Sequence, residues 1–446
     1  MVAASAEFGA ACAGSRFDAG AAGAGGNETV GDGGSVPSGG AGSPATFEGG
    51  NKTTGGTKAP GGTKAPGGES ASGGAMAAGG AMAAGGEAAA GGELAMGDTA
   101  PCIPAAGYAH CRVLTTDYTQ AGTADSSGWP LVTKIGDGPM TLGSGAVLNS
   151  NCYDVVFTAD SAGTTLVPWE VESCDPSTGA VLAWVKLGKL SHTSNTSLYV
   201  SYGNAGASIA PNSGASAQAS VWTSAVGTYH LSETLTSGGQ TVHDSAGLNN
   251  LTSRGTSFMG MQVPGVIDGS FDFANSGSAL SIANPFSPNA TRTVSLWAKP
   301  HVANENATAQ GVGLWEDANF ATGDGGLATG VLQRGTRFSI YKNAIGYVDG
   351  TTTIVAEKWY YLTYTYDAST HDFRLYVDGG SAAEISGNCL DSGNQQTMLV
   401  GTGYYGADAV IDELQLRSVI SSPSWIVAQY NNQKPSSTFL TVGPEY

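Results

Sequence analysis

The chain has 446 residues, of which only 12 % are charged, and its formal net charge is −18. That balance excludes nucleic-acid binding, which needs a patch of Lys and Arg for phosphate contacts, and it excludes electrostatic docking on anionic membranes. No apolar run approaches the roughly 18 residues of a membrane span, so no transmembrane segment is expected, and the length suffices for two domains with real cores plus a tail.

Residues 1–101 are dominated by Gly, Ala, Ser and Pro; GGTKAP occurs at 55–60 and 61–66, and GGAMAA at 73–78 and 79–84. Low-complexity sequence of this kind has too little apolar surface to offset an ordering cost of ~1–2 kcal/mol per residue. A disordered Gly/Ala-rich tether is expected there. The start MVAASAEFGAAC places two alanines before Cys12, as at a lipoprotein anchor site, but it lacks basic residues and Glu7 interrupts the apolar run. Cys12 therefore reads either as a lipid anchor or as an ordinary residue of the tail.

Four cysteines cluster at the start of the next segment. CYDVVFTA (152–159) and LVPWEVESC (166–174) read as two strands around the turn DSAGTT, with Cys152 and Cys174 symmetric about its middle. They are expected to oppose each other across a hairpin, near disulfide geometry. Cys102 and Cys111 would close a small loop at the domain's entry. A thiolate metal site is disfavoured because CxxC pairs are missing. Two disulfides imply an oxidising compartment, and so a secreted or cell-surface protein.

Residues 104–215 alternate with period two: Tyr153, Val155 and Phe157; Val167, Trp169 and Val171; Val181, Ala183, Val185 and Leu187; Leu198, Val200 and Tyr202. With turn signals such as DPSTG between them, they predict a β-sandwich with one buried face per strand. The segment DVVFTADSAGTTLVPWEVES, then AWVKLGKL and SLYVSYGN, resembles an uncharacterised bacterial surface domain that commonly precedes a laminin-G-like jelly roll. The resemblance implies company and location, not an activity.

An Ala/Ser/Gly linker (204–220) leads into the second domain, 221–446. Val294, Leu296 and Ala298 form one strand face; Tyr360, Leu362, Tyr364 and Tyr366 form another, followed after a turn by Phe373, Leu375 and Val377. In AVIDELQLR (409–417), alternation puts Val410, Asp412, Leu414 and Leu416 in one row, so a carboxylate sits among apolar residues. Ser422 and Pro423 start a helix over about 423–432, and a last strand follows to close the sandwich.

AVGTYHLSE (225–233), VHDSAGLNN (242–250), GVIDGSFDF (265–273), TVSLWAKP (293–300), WYYLTYTYD (359–367) and FRLYVDGG (373–380), with the 409–443 ending, resemble the concanavalin A-like (laminin-G-like) jelly-roll domains of bacterial surface proteins. The resemblance implies an all-β jelly-roll sandwich and, since such relatives often bind calcium, a Ca²⁺ site. Pairing of the domain's first and last long strands would bring Asp244, Asn249 and Asp412 together as oxygen ligands. The alternative is that Asp244 caps its own turn and Asp412 accepts hydrogen bonds from a neighbouring loop. A second acidic loop, WEDANFATGDGG (315–326), has Asp317 and Asp324 reading as solvated.

Hydrolase signatures are weak. Glu170 and Glu172 share a strand face at the spacing of a glycosidase pair, but they read as a solvated edge. The E-x-D-x-x-E strand motif of concanavalin A-like glucanases is missing, TADSAGTT is a single out-of-register copy of a sialidase Asp-box, and no GxSxG, HExxH or GxxxxGK occurs. His230, between Tyr229 and Leu231, reads as a packing residue. Glycan recognition uses aromatic platforms, for which Trp315, Phe320, Tyr404 and Tyr405 are the loop candidates, the last two in GTGYYGAD (401–408). The expectation is a noncatalytic extracellular binding module, lectin-like, with a glycan as partner. A protein-binding adhesive module and a hydrolase with an unrecognised site are the alternatives.

Overall fold

The computed structural model describes residues 102–446 except 209, 211–216, 257, 259, 275–277, 288, 306–311, 319–326, 343–344, 387–396 and 402–406. The expected tether, Cys12, Cys389, Phe320, Asp324, Tyr404 and Tyr405 lie outside the described residues.

The first sandwich is built from β1 (His110–Thr116), β2 (Ser126–Val132), β3 (Lys134–Ile135), β4 (Gly138–Thr141), β5 (Val155–Thr158), β6 (Trp169–Asp175), β7 (Ala180–Leu190) and β8 (Ser197–Tyr202). The second contributes β9 (Ala225–Tyr229), β10 (Thr241–Val242), β11 (Leu251–Arg254), β12 (Gln262–Pro264), β13 (Gly269–Asp272), β14 (Ala279–Ala283), β15 (Arg292–Pro300), β16 (Val312–Ala318), β17 (Leu327–Arg334), β18 (Arg337–Lys342), β19 (Gly346–Thr353), β20 (Tyr360–Asp367), β21 (Asp372–Val377), β22 (Gly380–Ile385), β23 (Thr397–Val400) and β24 (Ala409–Arg417). Helix α1 (Pro423–Gln433) and strand β25 (Leu440–Glu445) end the chain. The Ser422 hydroxyl caps α1 by accepting the Trp425 N–H, with Pro423 in the first turn, as the sequence predicts.

Four sheets stack in order. One runs β25-β1-β8-β5, and the next runs β2-β7-β4-β3 with β6 on β7. Then comes the sheet β12-β13-β24-β15-β20-β21-β22 with β9 on β24, and finally β10-β11-β14-β23-β16-β17-β18-β19. Alternation explains the stack. Val181, Ala183, Val185 and Leu187 of β7 fill the first core, as expected. Leu182 and Trp184 point the other way and are buried too, in a third apolar cluster with Trp222, Trp297, Tyr361 and Ile426. In β20 the odd residue out, Tyr361, does the same, while Tyr360, Leu362, Tyr364 and Tyr366 line the second core. Both inner sheets are thus covered on two faces. Each large side chain in this middle layer stabilises by roughly 1.5–3 kcal/mol, and the low charge content follows from the lost solvent faces.

Three expectations are corrected. Both predicted disulfides form, but the hairpin around DSAGTT pairs only next to its turn, at the Thr158–Leu166 bridge, and does not run on to Cys152 and Cys174. β5 pairs with β8 and β6 with β7, so the link joins the two sheets of the first sandwich, with Cα atoms 6.3 Å apart. The last strand leaves the second sandwich: β25 pairs antiparallel with β1, Leu440 opposite Thr116 and Val442 opposite Leu114. The row assigned to β24 is also wrong. Ser295 of β15 faces Gln415 and Trp297 faces Asp412, so Glu413 and Leu414 oppose the single residue Leu296. That is a β-bulge, with Glu413 in the left-handed region at φ 51°. The bulge shifts the phase: Ile411, Leu414 and Leu416 face the core, and Asp412 is turned toward the first sandwich.

Candidate functional site

Strand β9 pairs with β24, Tyr229 opposite Leu414 and Thr228 opposite Gln415, so the first and last long strands of the second sandwich do meet. The three residues expected to hold calcium each make hydrogen bonds to nearby backbone groups. Asp244 Oδ1 accepts the N–H groups of Thr228 (2.7 Å) and Ala246 (2.9 Å), and Oδ2 those of Leu248 (2.9 Å) and Asn249 (2.8 Å). Its carboxylate is saturated as a turn cap. The Asn249 side-chain amide donates to the Val226 carbonyl at 2.7 Å. Asp412 Oδ2 accepts the N–H groups of Val266 (2.8 Å) and Ile267 (3.1 Å). These are the local backbone roles that compete with metal ligation at such residues.

Trp315 is not a surface platform: it is fully buried in β16, its ring 4.8 Å from that of Tyr364. Its strand is longer than the loop reading allows, running to Ala318. Asp317 is likewise not solvated; it is buried, 3.3 Å from the Arg292 guanidinium.

Glu170 and Glu172 do share a face of β6, but it is not a solvated edge. The second sandwich covers it, and the side chains are 5 % and 2 % exposed. They converge on His230, which follows β9: Glu172 approaches Nδ1 together with Glu413 of the β24 bulge, and Glu170 approaches Nε2. His230 Nδ1 lies 2.8 Å from Glu413 Oε1 and 3.5 Å from Glu172 Oε2, and Nε2 lies 3.6 Å from Glu170 Oε2. The surroundings fix these carboxylates. Trp184 Nε1 donates to Glu172 Oε2 at 2.6 Å. Glu170 accepts from Trp222 Nε1 (2.7 Å), Gln218 Nε2 (2.6 Å) and Ser245 Oγ (2.6 Å). The linker thus supplies one of the donors that hold Glu170, Gln218, and the start of the second domain supplies the others. The Trp184 and His230 rings stack at 5.6 Å.

Burial opposes charge on His230, but Glu413, Glu172 and Glu170 outweigh it and raise the imidazole well above its ordinary value. Burial pushes Glu172 up to about 8 and Glu413 upward against the pull of His230. Asp412 is driven well above its ordinary value by burial and by the neighbouring Glu413. Glu170 moves down, because His230 and its hydrogen-bond donors overcome its burial. Beside this cluster the Lys134 ammonium reaches from the first sandwich to the carbonyls of Val266 (2.8 Å) and Gln433 (2.9 Å), and burial lowers it to about 8. Glycoside hydrolysis needs carboxylates flanking an open cleft; these lie under the contact between sandwiches. What the arrangement can do is hold charge between two domains. The sequence held its parts, but only the bulge and the packing of β6 on β9 and β24 unite them.

The outer face of the last sheet is different. Phe338 and Ile340 of β18 point into the core, so Ser339 and Tyr341 point out. Tyr341 lies opposite Tyr347 of β19, with ring centroids 4.9 Å apart. Both rings are half-buried. The Arg334 guanidinium sits 4.9 Å over Tyr347 and contacts both oxygens of exposed Asp349 at 3.0 and 2.9 Å. Ser339 Oγ donates to Asp349 at 2.7 Å. The alternation in RFSIYK and the aromatic of IGYVDG were the available signal for this strip.

Residues 273–427 match the family described as the concanavalin A-like lectin/glucanases superfamily, and residues 151–222 match a family described as a domain of unknown function (DUF2341). The fold is all-β with a concanavalin A-like domain, in the order the sequence predicts. No curated protein sequence matches the chain. Among solved structures it is similar to the binding domain of Paraclostridial Mosquitocidal Protein 1, at 16 % identity and a TM-score of 0.36 over 46 % of this chain and 52 % of that one. It is similar to Trypanosoma rangeli sialidase, at 15 % and 0.37 over 48 % and 34 %. It is also similar to domain 4 of AbnA, a GH43 extracellular arabinanase from Geobacillus stearothermophilus in complex with arabinotriose, at 16 % and 0.34 over 46 % and 96 %. The chain thus spans about half of the first of these and a third of the second. Likeness at this level identifies neither ligand nor activity.

Proposed function

We propose that this chain is a noncatalytic extracellular binding module of a bacterial surface, and that it recognises carbohydrate. The supporting observation is the strip Tyr341–Tyr347 with Arg334, Ser339 and Asp349 on the outer face of the last sheet. Sugar faces are apolar and their edges carry hydroxyls, so paired aromatic rings beside a guanidinium and a carboxylate match both features. The inner sheet of the same sandwich has its outer face covered by the first sandwich and is closed to a ligand. Two disulfides suit an oxidising exterior, and no helix among the described residues is long and apolar enough to cross a membrane. A glycan array probed with the full chain tests the reading. Binding to a defined sugar class, lost in Tyr347→Ala with the melting temperature unchanged, is the expected result. Binding to no glycan, or equal binding by the variant, rejects it.

A further inference from the structure

We propose that Glu172, His230 and Glu413 hold a divalent first-row transition cation, zinc foremost, which fastens the first sandwich to the second. One oxygen from each carboxylate and one ring nitrogen lie within 4.8 Å of one another. Tetrahedral coordination at about 2.0–2.2 Å sets neighbouring ligand atoms roughly 3.3–3.6 Å apart. Of the distances from His230 Nδ1, the 3.5 Å to Glu172 falls within that edge, and the 2.8 Å to Glu413 is a hydrogen bond that must lengthen by about 0.5 Å to admit the ion.

A separate observation points to a ligand. The other carboxylate oxygens, Glu172 Oε1 and Glu413 Oε2, are buried without a hydrogen-bond partner, on side chains 2 % and 0 % exposed. Buried acceptors left this way are costly, and a cation bound through both oxygens of each carboxylate would satisfy them. The surroundings also suit ligation through Nδ1. The far ring nitrogen, Nε2, faces Glu170 at 3.6 Å, and Glu170 is itself held by Trp222, Gln218 and Ser245. A carboxylate behind the imidazole is the usual support for a metal-bound histidine; Glu170 stands in that place, beyond hydrogen-bond reach, and supports the ring by its charge. One nitrogen with two oxygens selects zinc or a neighbouring transition ion over calcium, which takes six or more oxygens. Binding displaces the proton at Nδ1. Glu172 belongs to the first sandwich, and His230 and Glu413 belong to the second, so the ion cross-links elements that are distant in sequence.

The test uses the full chain with its disulfides intact. It is purified without chelator and assayed for metal by mass spectrometry, then stripped during unfolding and refolded with Zn²⁺ or Co²⁺ alone. About one equivalent of Zn²⁺ per chain is expected, with a melting temperature at least ~3 °C above the stripped protein. Co²⁺ should give the visible absorption of a tetrahedral nitrogen and oxygen site. The shape-preserving variants Glu172→Gln and Glu413→Gln should lose the equivalent and the rise. Failure of Zn²⁺ and Co²⁺ to bind or to raise the melting temperature overturns the proposal, as does an equal rise in parent and variants. Should the variants not fold, the Co²⁺ spectrum of the parent decides: octahedral all-oxygen ligation places the ion elsewhere.

Discussion

Trp297 of β15 donates its indole N–H to Gln433 Oε1 of α1 at 2.8 Å, and both residues are fully buried. The helix is fixed to the other sandwich as well, because Asn432 exchanges hydrogen bonds with the backbone N–H (2.9 Å) and carbonyl (3.1 Å) of Val132. One helix turn therefore joins both domains through paired polar groups. Gln433→Leu strands the Trp297 N–H in the apolar layer and should cost ~1–3 kcal/mol in denaturant unfolding. Adding Trp297→Phe should cost less than the two single changes predict, giving a coupling of ~0.5–3 kcal/mol. Strict additivity would mean the bond contributes nothing to the interface.

The strands, the helix and both disulfide pairs could be read from the sequence, because period-two alternation, an Ser-Pro helix start and cysteine spacing are local signals. The fate of the opposite strand faces is not local. Glu170 and Glu172 read as solvated since a polar face normally meets water; here a second sandwich takes that place. The charge content of 12 % was the signal that few such faces stay wet. Trp315 misled because an aromatic beside two acids reads as a loop, whereas its strand continues and Asp317 is neutralised by Arg292. The Glu413 bulge left no mark in the local sequence; its φ of 51° falls where β24 changes partner from β13 to β9, a long-range feature.

His301 bridges two acids in the second sandwich, Nε2 to Asp272 at 2.9 Å and Nδ1 to Glu357 at 2.8 Å. Partial burial works against its charge, but the two carboxylates prevail and raise its pKa above the ordinary value. The unfolded chain releases this proton near pH 6.5, and the folded chain keeps it to higher pH. The contribution is therefore fully present below about 6.5 and is lost as pH rises through the folded value. In thermal melts at pH 5.5 and 8.5, His301→Asn should lower the melting temperature more at the acid end. A larger loss at pH 8.5 would reverse the assignment.

The Cys152–Cys174 link closes a separation of 22 residues and joins the sheets on either side of the first core. Replacing both cysteines, Cys152→Ser with Cys174→Ala, should lower stability by ~2–5 kcal/mol. Chemical denaturation without reductant measures this. If the midpoint matches that of the parent, the two sheets are held by their core alone.

Strand β25 crosses back from the end of the chain to pair with β1, and Phe439 just before it packs on Trp129 with ring centroids 5.4 Å apart. Phe439 and Leu440 belong to the first core although more than 300 residues separate them from Trp129 and β1. Deleting 440–446 removes one edge of that sheet and leaves β1 with β8 as its single strand partner. An uncovered edge loses its backbone hydrogen bonds to water and opens more readily. Hydrogen exchange in the truncated chain should therefore accelerate over 110–116, while 360–367, at the centre of the second sandwich, stays protected. Uniform acceleration in both segments would show instead that β25 holds the whole assembly; unchanged protection of 110–116 would show that β8 alone secures β1.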